Sequence, residues 1–250
     1  MSRVFEDTLT LLRRELLRYR RDRAYWIGQF VFPLAVIGVA GFGLRNAEWL
    51  QGAGYGGALA SGILVLVVGS GAVGGGFSLI EDRDSGFLRA LLVAPVSRTS
   101  IVLGKLGARI AVSVVLVALL LIPLSLGTGI GLPHPGAALV ALVGVTAFFV
   151  ALGIALAVRL RRLESFRTFA ALATIPLYLC SGILYPLADL PGFLRILAYL
   201  NPMTYGADLF RWGLLGVHEI PVGLSLALLL GLSALSVAAA VALFERGART

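Results

Sequence analysis

The basic residues of this 250-residue chain are confined to a few short stretches, and the runs between them are almost free of charge. Of the 21 Lys and Arg, seven lie between Arg3 and Arg23, five between Arg83 and Arg109, four between Arg159 and Arg167, and two in the tail (Arg246, Arg249). Arg45, Arg195 and Arg211 alone fall on the far side of a hydrophobic run. Loops rich in Lys and Arg resist translocation and stay in the cytoplasm. The pattern predicts a chain that crosses a membrane several times, with both ends inside.

Composition closes off the soluble classes. Mean hydropathy is +0.94, and 14% of residues are charged, against about a quarter in soluble domains. A net charge of +8 invites a nucleic-acid reading, but that requires a continuous basic face. Here the charge sits at the ends of apolar runs, so no nucleic-acid partner is expected. The single cysteine, Cys180, lies inside an apolar run, which excludes an internal disulfide and a thiolate metal site. Residues 1–23 are too charged for a cleavable signal peptide.

A helical crossing needs about 20 apolar residues, and six runs qualify: 24–44, 57–80, 104–127, 137–158, 168–187 and 222–244. An even number agrees with both termini on the basic side. The expected fold is an all-α integral membrane protein with six transmembrane helices in one domain, 1–250. Segments 45–56 and 128–136 would lie outside, 81–103 and 159–167 inside, and 188–221 would form a long outer segment.

Three further elements are expected. Over residues 1–23, Phe5, Leu9, Leu12, Leu16 and Tyr19 share one helical direction, while Asp7, Arg14, Arg18 and Arg21 fall opposite. Such a helix lies in the headgroup plane with its arginines toward anionic lipid. In the inner loop, Phe87, Leu88, Leu91 and Leu92 form a stripe on a short helix capped by Asp84 or Ser85 and ended by Pro95. That helix is either a docking element or a second membrane-surface helix. In the outer segment, 191–199 and 202–215 are apolar helices too short to cross, which suits re-entrant elements. Asn201 caps, Pro202 takes the first helical position and Gly216 stops the second helix. Asp208 and Arg211 stand three apart and are placed to pair.

Several chemistries lack their residues. Glycines 69–76 do not make a phosphate loop, which needs GxxxxGK[ST]; Gly71 and Gly75 suit close helix packing instead. Apart from residues at their ends, the six runs hold no Asp, Glu, Lys, Arg or His, which argues against proton coupling. His134 and His218 are loop residues without HExxH, and no serine stands in GxSxG. Neither a catalytic residue, a metal site nor a cofactor site is expected, so any work performed draws its energy from elsewhere.

The words Ser85-Gly-Phe-Leu-Arg-Ala-Leu-Leu-Val-Ala-Pro-Val-Ser-Arg98, Ser181-Gly-Ile-Leu-Tyr-Pro186, Leu190-Pro191 and Asn201-Pro-Met-Thr-Tyr205 with Asp208 and Arg211 resemble the membrane subunit of an ABC-2 type transporter. The chain is similar in particular to the drug-resistance and nodulation-factor export permeases, over nearly its whole length. The resemblance makes the short inner helix a coupling helix seated on a separate ATP-binding subunit. It assigns that contact to Glu81, Gly86, Phe87, Leu88, Leu91, Leu92 and Pro95, with residues 3–21 as an interface helix. It places an outer re-entrant gate at Tyr185, Pro186, Pro191, Asn201, Pro202, Tyr205, Asp208 and Arg211. It also implies two ATP-binding subunits holding ATP and Mg, a second copy of the permease, and a bacterial cytoplasmic membrane. Where the family pattern carries an acidic residue near 89 or 90, this chain has Arg89 and Ala90. An oligomeric channel, an ATP-independent carrier and a membrane scaffold are the alternative readings.

Overall fold

The computed structural model describes residues 2–43, 55–128, 131–160, 162–183, 187 and 190–247. Arg45 and the expected gate residues Tyr185 and Pro186 lie outside the described residues. Ten helices are described: α1 (Ser2–Arg21), α2 (Arg23–Gly43), α3 (Tyr55–Asp84), α4 (Phe87–Val93), α5 (Arg98–Thr128), α6 (Pro135–Arg159), α7 (Leu163–Leu179), α8 (Gly192–Leu200), α9 (Pro202–Leu215) and α10 (Val222–Gly247).

Each of the six apolar runs overlaps a helix. Among the described residues four are long and apolar enough to cross a membrane: Ala60–Asp84, Arg98–Ser125, Pro135–Arg159 and Val222–Arg246. The described part of α2 stops at Gly43, and α7 has only 17 residues. The chain is a multipass membrane protein built from helices. The run expected at 168–187 is displaced. Its helix starts at Leu163 and ends at Leu179, where the chain turns through Ser181 and Gly182, the latter at φ 70°. Glu164 in the first turn of α7 suits a helix N-terminus. Charge that reads as loop in the sequence is here the start of a helix.

The helix order sets two ends. α3 and α6 run side by side in the same direction: Gly69 faces Phe149, Gly76 meets Gly153, and the Arg83 Nη2 donates to the Ala157 carbonyl at 3.1 Å. α5 runs against them, with Lys105 beside Asp82. α10 follows α6, since Ser233 Oγ donates to Gly144 O and Glu245 O accepts from Arg98. The ends of α3, α6 and α10 therefore share one side with the starts of α5 and α7; α1 and α4 lie there. The opposite side carries α9, whose Gly213 packs on Ala138 and whose Leu215 packs on Gly57.

The closest backbone approach differs in register from the expectation. Gly71 and Gly75 face side chains, whereas a Cβ at Gly76 would overlap the Gly153 carbonyl. Small residues let helix backbones close without a hydrophobic drive from lipid. At this crossing only glycine on both helices fits.

Candidate functional site

α3 continues through Glu81, Asp82 and Asp84, so the start of the expected inner loop is helix. The chain then reverses at Gly86, whose left-handed backbone (φ 77°, ψ −6°) favours glycine. Gly86 is itself the N-cap of α4, with no side-chain bond. The expected cap at Asp84 or Ser85 is not formed, because the Ser85 hydroxyl turns back to the Asp82 carbonyl at 3.3 Å. After Val93, Ala94 is extended, as a residue before proline must be, and Pro95 stops the helix.

The expected stripe on α4 is divided between two surroundings. Leu88 is buried, and Leu91 packs partly buried against the same core. Phe87 lies under the Arg14 guanidinium, 3.6 Å from its ring centre. Leu92, Arg89, Ala90 and Pro95 are exposed, and Val93 is 88% exposed. Leu88 thus anchors the helix and leaves an outward face of Arg89, Ala90, Leu92 and Val93. Val93 escapes a sequence reading because periodicity alone cannot say which apolar flank meets the core. Glu81 does not belong to the loop; it stands in the last turn of α3 and accepts from Arg18.

α1 forms as expected but sits differently. It lies against α5, where Gly104 allows Thr8, Leu11 and Leu12 to approach, and Leu12 fills the space over Gly107. Leu12 and Tyr19 turn partly toward the bundle, while Phe5 and Leu9 stay exposed and Leu16 is half-buried. Arg14 and Arg18 do not reach outward to lipid as expected. They are held by carboxylates of α3: Arg14 Nη2 to Asp82 Oδ1 at 2.7 Å, and Arg18 to Glu81. The bundle-facing side of α1 carries Glu15, and the arginines flank it.

Below them is a buried ion cluster. Lys105 Nζ donates to Glu15 Oε1 at 2.9 Å, to Asp82 Oδ2 at 2.6 Å and to Ser78 Oγ at 2.6 Å. The three charged residues are 5%, 3% and 2% exposed, respectively. Two carboxylates meet the buried Lys105 and the half-buried Arg14, so the charges of the cluster balance, as burial requires. Four residues on, Arg109 is buried too: it donates to the Gly71 carbonyl and, at 2.8 Å, to the Tyr25 hydroxyl. Burial raises the Tyr19 hydroxyl above its ordinary range, against the opposing charge of Arg109. Lys105 and Arg109 read as the end of an apolar run; they are in fact the second and third turns of α5. Glu15, one helical turn after Leu11, carried the only sequence signal for the cluster: a carboxylate on the apolar flank of α1.

At the opposite side, α9 is buried along its first nine residues, and α8 exposes Phe193, Ile196, Leu197 and Leu200. Asn201 caps α9 as expected, accepting from Met203 N at 3.0 Å, and donates to the Leu177 carbonyl at 2.5 Å. Pro202 occupies the first turn, and Gly216 (φ 74°) ends the helix. Pro191 is the N-cap of α8. Tyr205 is buried, with its hydroxyl donating to Tyr199 O. Asp208 and Arg211 do not pair directly. The Asp208 carboxylate accepts from Glu219 N (2.7 Å), Ile220 N (3.4 Å) and Ser225 Oγ (3.2 Å). Arg211 pairs with Glu219 Oε1 at 2.6 Å and donates to the Gly182 carbonyl at 2.9 Å. Glu219 also accepts from Leu187 N at 2.9 Å. It is the missed residue of this hub, eight positions after Arg211 and so beyond any helical spacing rule. Burial pushes the Asp208 carboxyl above the usual range, partly offset by those donors and by Arg211.

The ABC-2 type transporter family matches residues 6–215. The chain is 28% identical over 220 residues to the transport permease ycf38 of Pyropia yezoensis, covering 84% of this chain and 74% of that one. A ycf38 protein of Cyanophora paradoxa is 28% identical over 158 residues, 60% of this chain and 53% of its own. The inner membrane transport permease YadH of Escherichia coli K12 is 26% identical over 141 residues, 54% of this chain and 53% of that protein. With a family match that runs from α1 through α9, the chain belongs to the ABC-2 type transporter family as a membrane transport subunit.

Proposed function

We propose that this chain is the permease of an ATP-driven exporter in a bacterial cytoplasmic membrane, with both termini inside. In this reading α2 and α7 complete a six-span fold and α8–α9 form a re-entrant outer gate. Two copies enclose the conduit for an amphipathic or lipid-linked substrate, such as a drug, lipid or glycan. A separate ATP-binding subunit, two copies per transporter, holds ATP and Mg and supplies the work. The outward face of α4 is where that subunit pushes.

One observation carries this reading: α4 is anchored and exposed at once. Leu88 seats it on the core, and Arg14 ties its first residue to α1 and to Asp82 of α3. A push on Leu92 and Val93 is thereby delivered to α1, α3 and, through Lys105, α5. Force becomes motion only if docking stabilises one of two helix arrangements over the other.

The test uses Leu92→Glu and Val93→Glu in the complete transporter. Both positions face outward, so the melting temperature should stay near wild type, within about 0.5 kcal/mol of stability. ATP-dependent transport and co-purification of an ATP-binding subunit should both fall by at least about tenfold, as expected for a charge placed in an apolar docking contact. Normal transport by both variants sinks the docking role. Leu91→Glu is the less informative change, because Leu91 packs on the core and its loss acts on folding.

A further inference from the structure

Two cations stand one turn apart on α5, and they are neutralised in different ways. Lys105 is met by Glu15 and Asp82. Arg109 is 3% exposed, and among the described residues no carboxylate lies in ion-pair range of it. Its neighbours are dipoles and rings. Nη2 donates to Gly71 O and Nη1 to the Tyr25 hydroxyl, while the guanidinium carbon lies 4.7 Å and 5.1 Å from the ring centres of Tyr19 and Tyr25. Nε is buried without a hydrogen-bond partner. An ionisable group at membrane depth is costly and is kept for a task, and its missing partner names the ligand's charge.

The same guanidinium lines a cavity of about 270 Å³ between α1, α2, α3 and α5. Tyr25, Gln29, Ser70 and Ser78 contribute polar wall, and Ser70 is exposed, so the cavity reaches the surface of the bundle. The carboxylates on its wall are already engaged: Glu81 by Arg18, and Asp22 by the Tyr25 backbone N–H at 2.9 Å. On α2, the helix that carries Gln29, the apolar residues Ile27, Val31 and Phe32 are exposed. We propose that this cavity takes the anionic phosphate headgroup of an amphiphile, with Arg109 as its counter-ion and the tail lying along the apolar face of α2. Two engaged carboxylates nearby favour a singly charged phosphodiester over a doubly charged monoester. The site stands on Arg109 and the cavity that it lines, and holds whether or not the ligand is carried across the membrane.

Trp26 is a reporter already in place, its Nε1 donating to Tyr19 O at 2.9 Å and its ring 5.8 Å from that of Tyr25. With Trp49→Phe and Trp212→Phe in the full chain, Trp26 alone fluoresces. Vesicles then carry brominated phosphatidylglycerol or brominated phosphatidylcholine, and quenching gives the relative affinity. Phosphatidylglycerol should be preferred by at least about fivefold, the effect of one basic residue on an anionic lipid. Arg109→Gln should abolish the preference and Arg109→Lys should keep most of it. Ser70→Leu, which blocks the exposed mouth without touching Arg109, should abolish it as well, and this arm decides if the Gln variant does not fold. Added inorganic phosphate separates the sources: an unchanged preference assigns the site to lipid, and competition that needs Arg109 assigns it to the free anion. Equal quenching by the two lipids with no effect of phosphate overturns the proposal. So does a preference that survives Arg109→Gln or Ser70→Leu.

Discussion

The two sides of the bundle each bury charge, but they use it differently. On the α4 side, Glu15, Asp82 and Lys105 come from α1, α3 and α5, up to 90 positions apart in sequence. Their contacts join a surface helix to two long helices. On the α9 side, Asp208, Arg211 and Glu219 lie within twelve residues and, among the described residues, draw in Gly182, Leu187, Ile220 and Ser225. The first cluster is a joint between elements; the second is a clasp that closes one segment on itself. A joint made of strong, balanced ion pairs holds its members in register while they move together. A clasp whose carboxylates accept mostly from backbone N–H groups fixes a loop and passes little to distant helices. If that contrast is right, damage to the joint should spread across the molecule, and damage to the clasp should stay local.

The largest effect is expected at Lys105. Lys105→Met leaves two carboxylates buried against each other and Arg14, and removing one partner from a buried ion pair costs about 3–5 kcal/mol. A detergent melt should show a large drop or failure to purify. The triple change Glu15→Gln, Asp82→Asn, Lys105→Met removes the charges together and should recover most of the loss. A triple variant no better than Lys105→Met would mean that packing of α1, rather than charge balance, holds the joint.

How much of this was legible beforehand follows from the kind of signal each part leaves. Long apolar runs, the amphipathic stripe from Phe5 to Tyr19, and the Asn201-Pro202 start and Gly216 stop of α9 are local patterns, and each maps onto a helix or cap in the structure. The seating of α4 was not local: Phe87, Leu88, Leu91 and Leu92 are equally apolar, and only the position of Arg14 and the core decides that Leu88 turns in while Leu92 and Val93 turn out. The joint was hidden for the same reason. Lys105 sits next to an apolar run, and its burial depends on Gly104 admitting α1, which brings Glu15 within reach. On the other side, Asp208 and Arg211 have helical spacing, yet the loop returns Glu219 between them and takes both. Spacing predicts which residues are neighbours on one helix; it is silent on which third residue arrives.

Arg211→Met should have a medium effect. It leaves Glu219 without its cation and Gly182 O without its donor, but Glu219 is 31% exposed at its side chain and water can take over. A loss of about 1–2 kcal/mol is expected, the scale of a hydrogen bond to a charged group. Hydrogen exchange should confine the change to residues near 182, 187 and 217–220. Protection lost as far as α1 or α4 would break the contrast between joint and clasp.

The smallest effect is a matter of sign. Burial raises the Asp208 carboxyl, with the N–H groups of Glu219 and Ile220, the Ser225 hydroxyl and the Arg211 charge opposing it. A group whose folded value lies above its unfolded value contributes stability below the ordinary carboxylate range, and that contribution is lost as pH rises through the folded value. Asp208→Asn keeps an oxygen for the Glu219 N–H and has no such titration. The melting temperature of the wild type, taken relative to Asp208→Asn, should therefore decline as pH is raised from about 4 to 7. A difference that moves the other way would mean the donors outweigh burial, making Asp208 a strongly held anion. The clasp would then rest on charge balance as the joint does, and the distinction between the two sides would fail at its own centre.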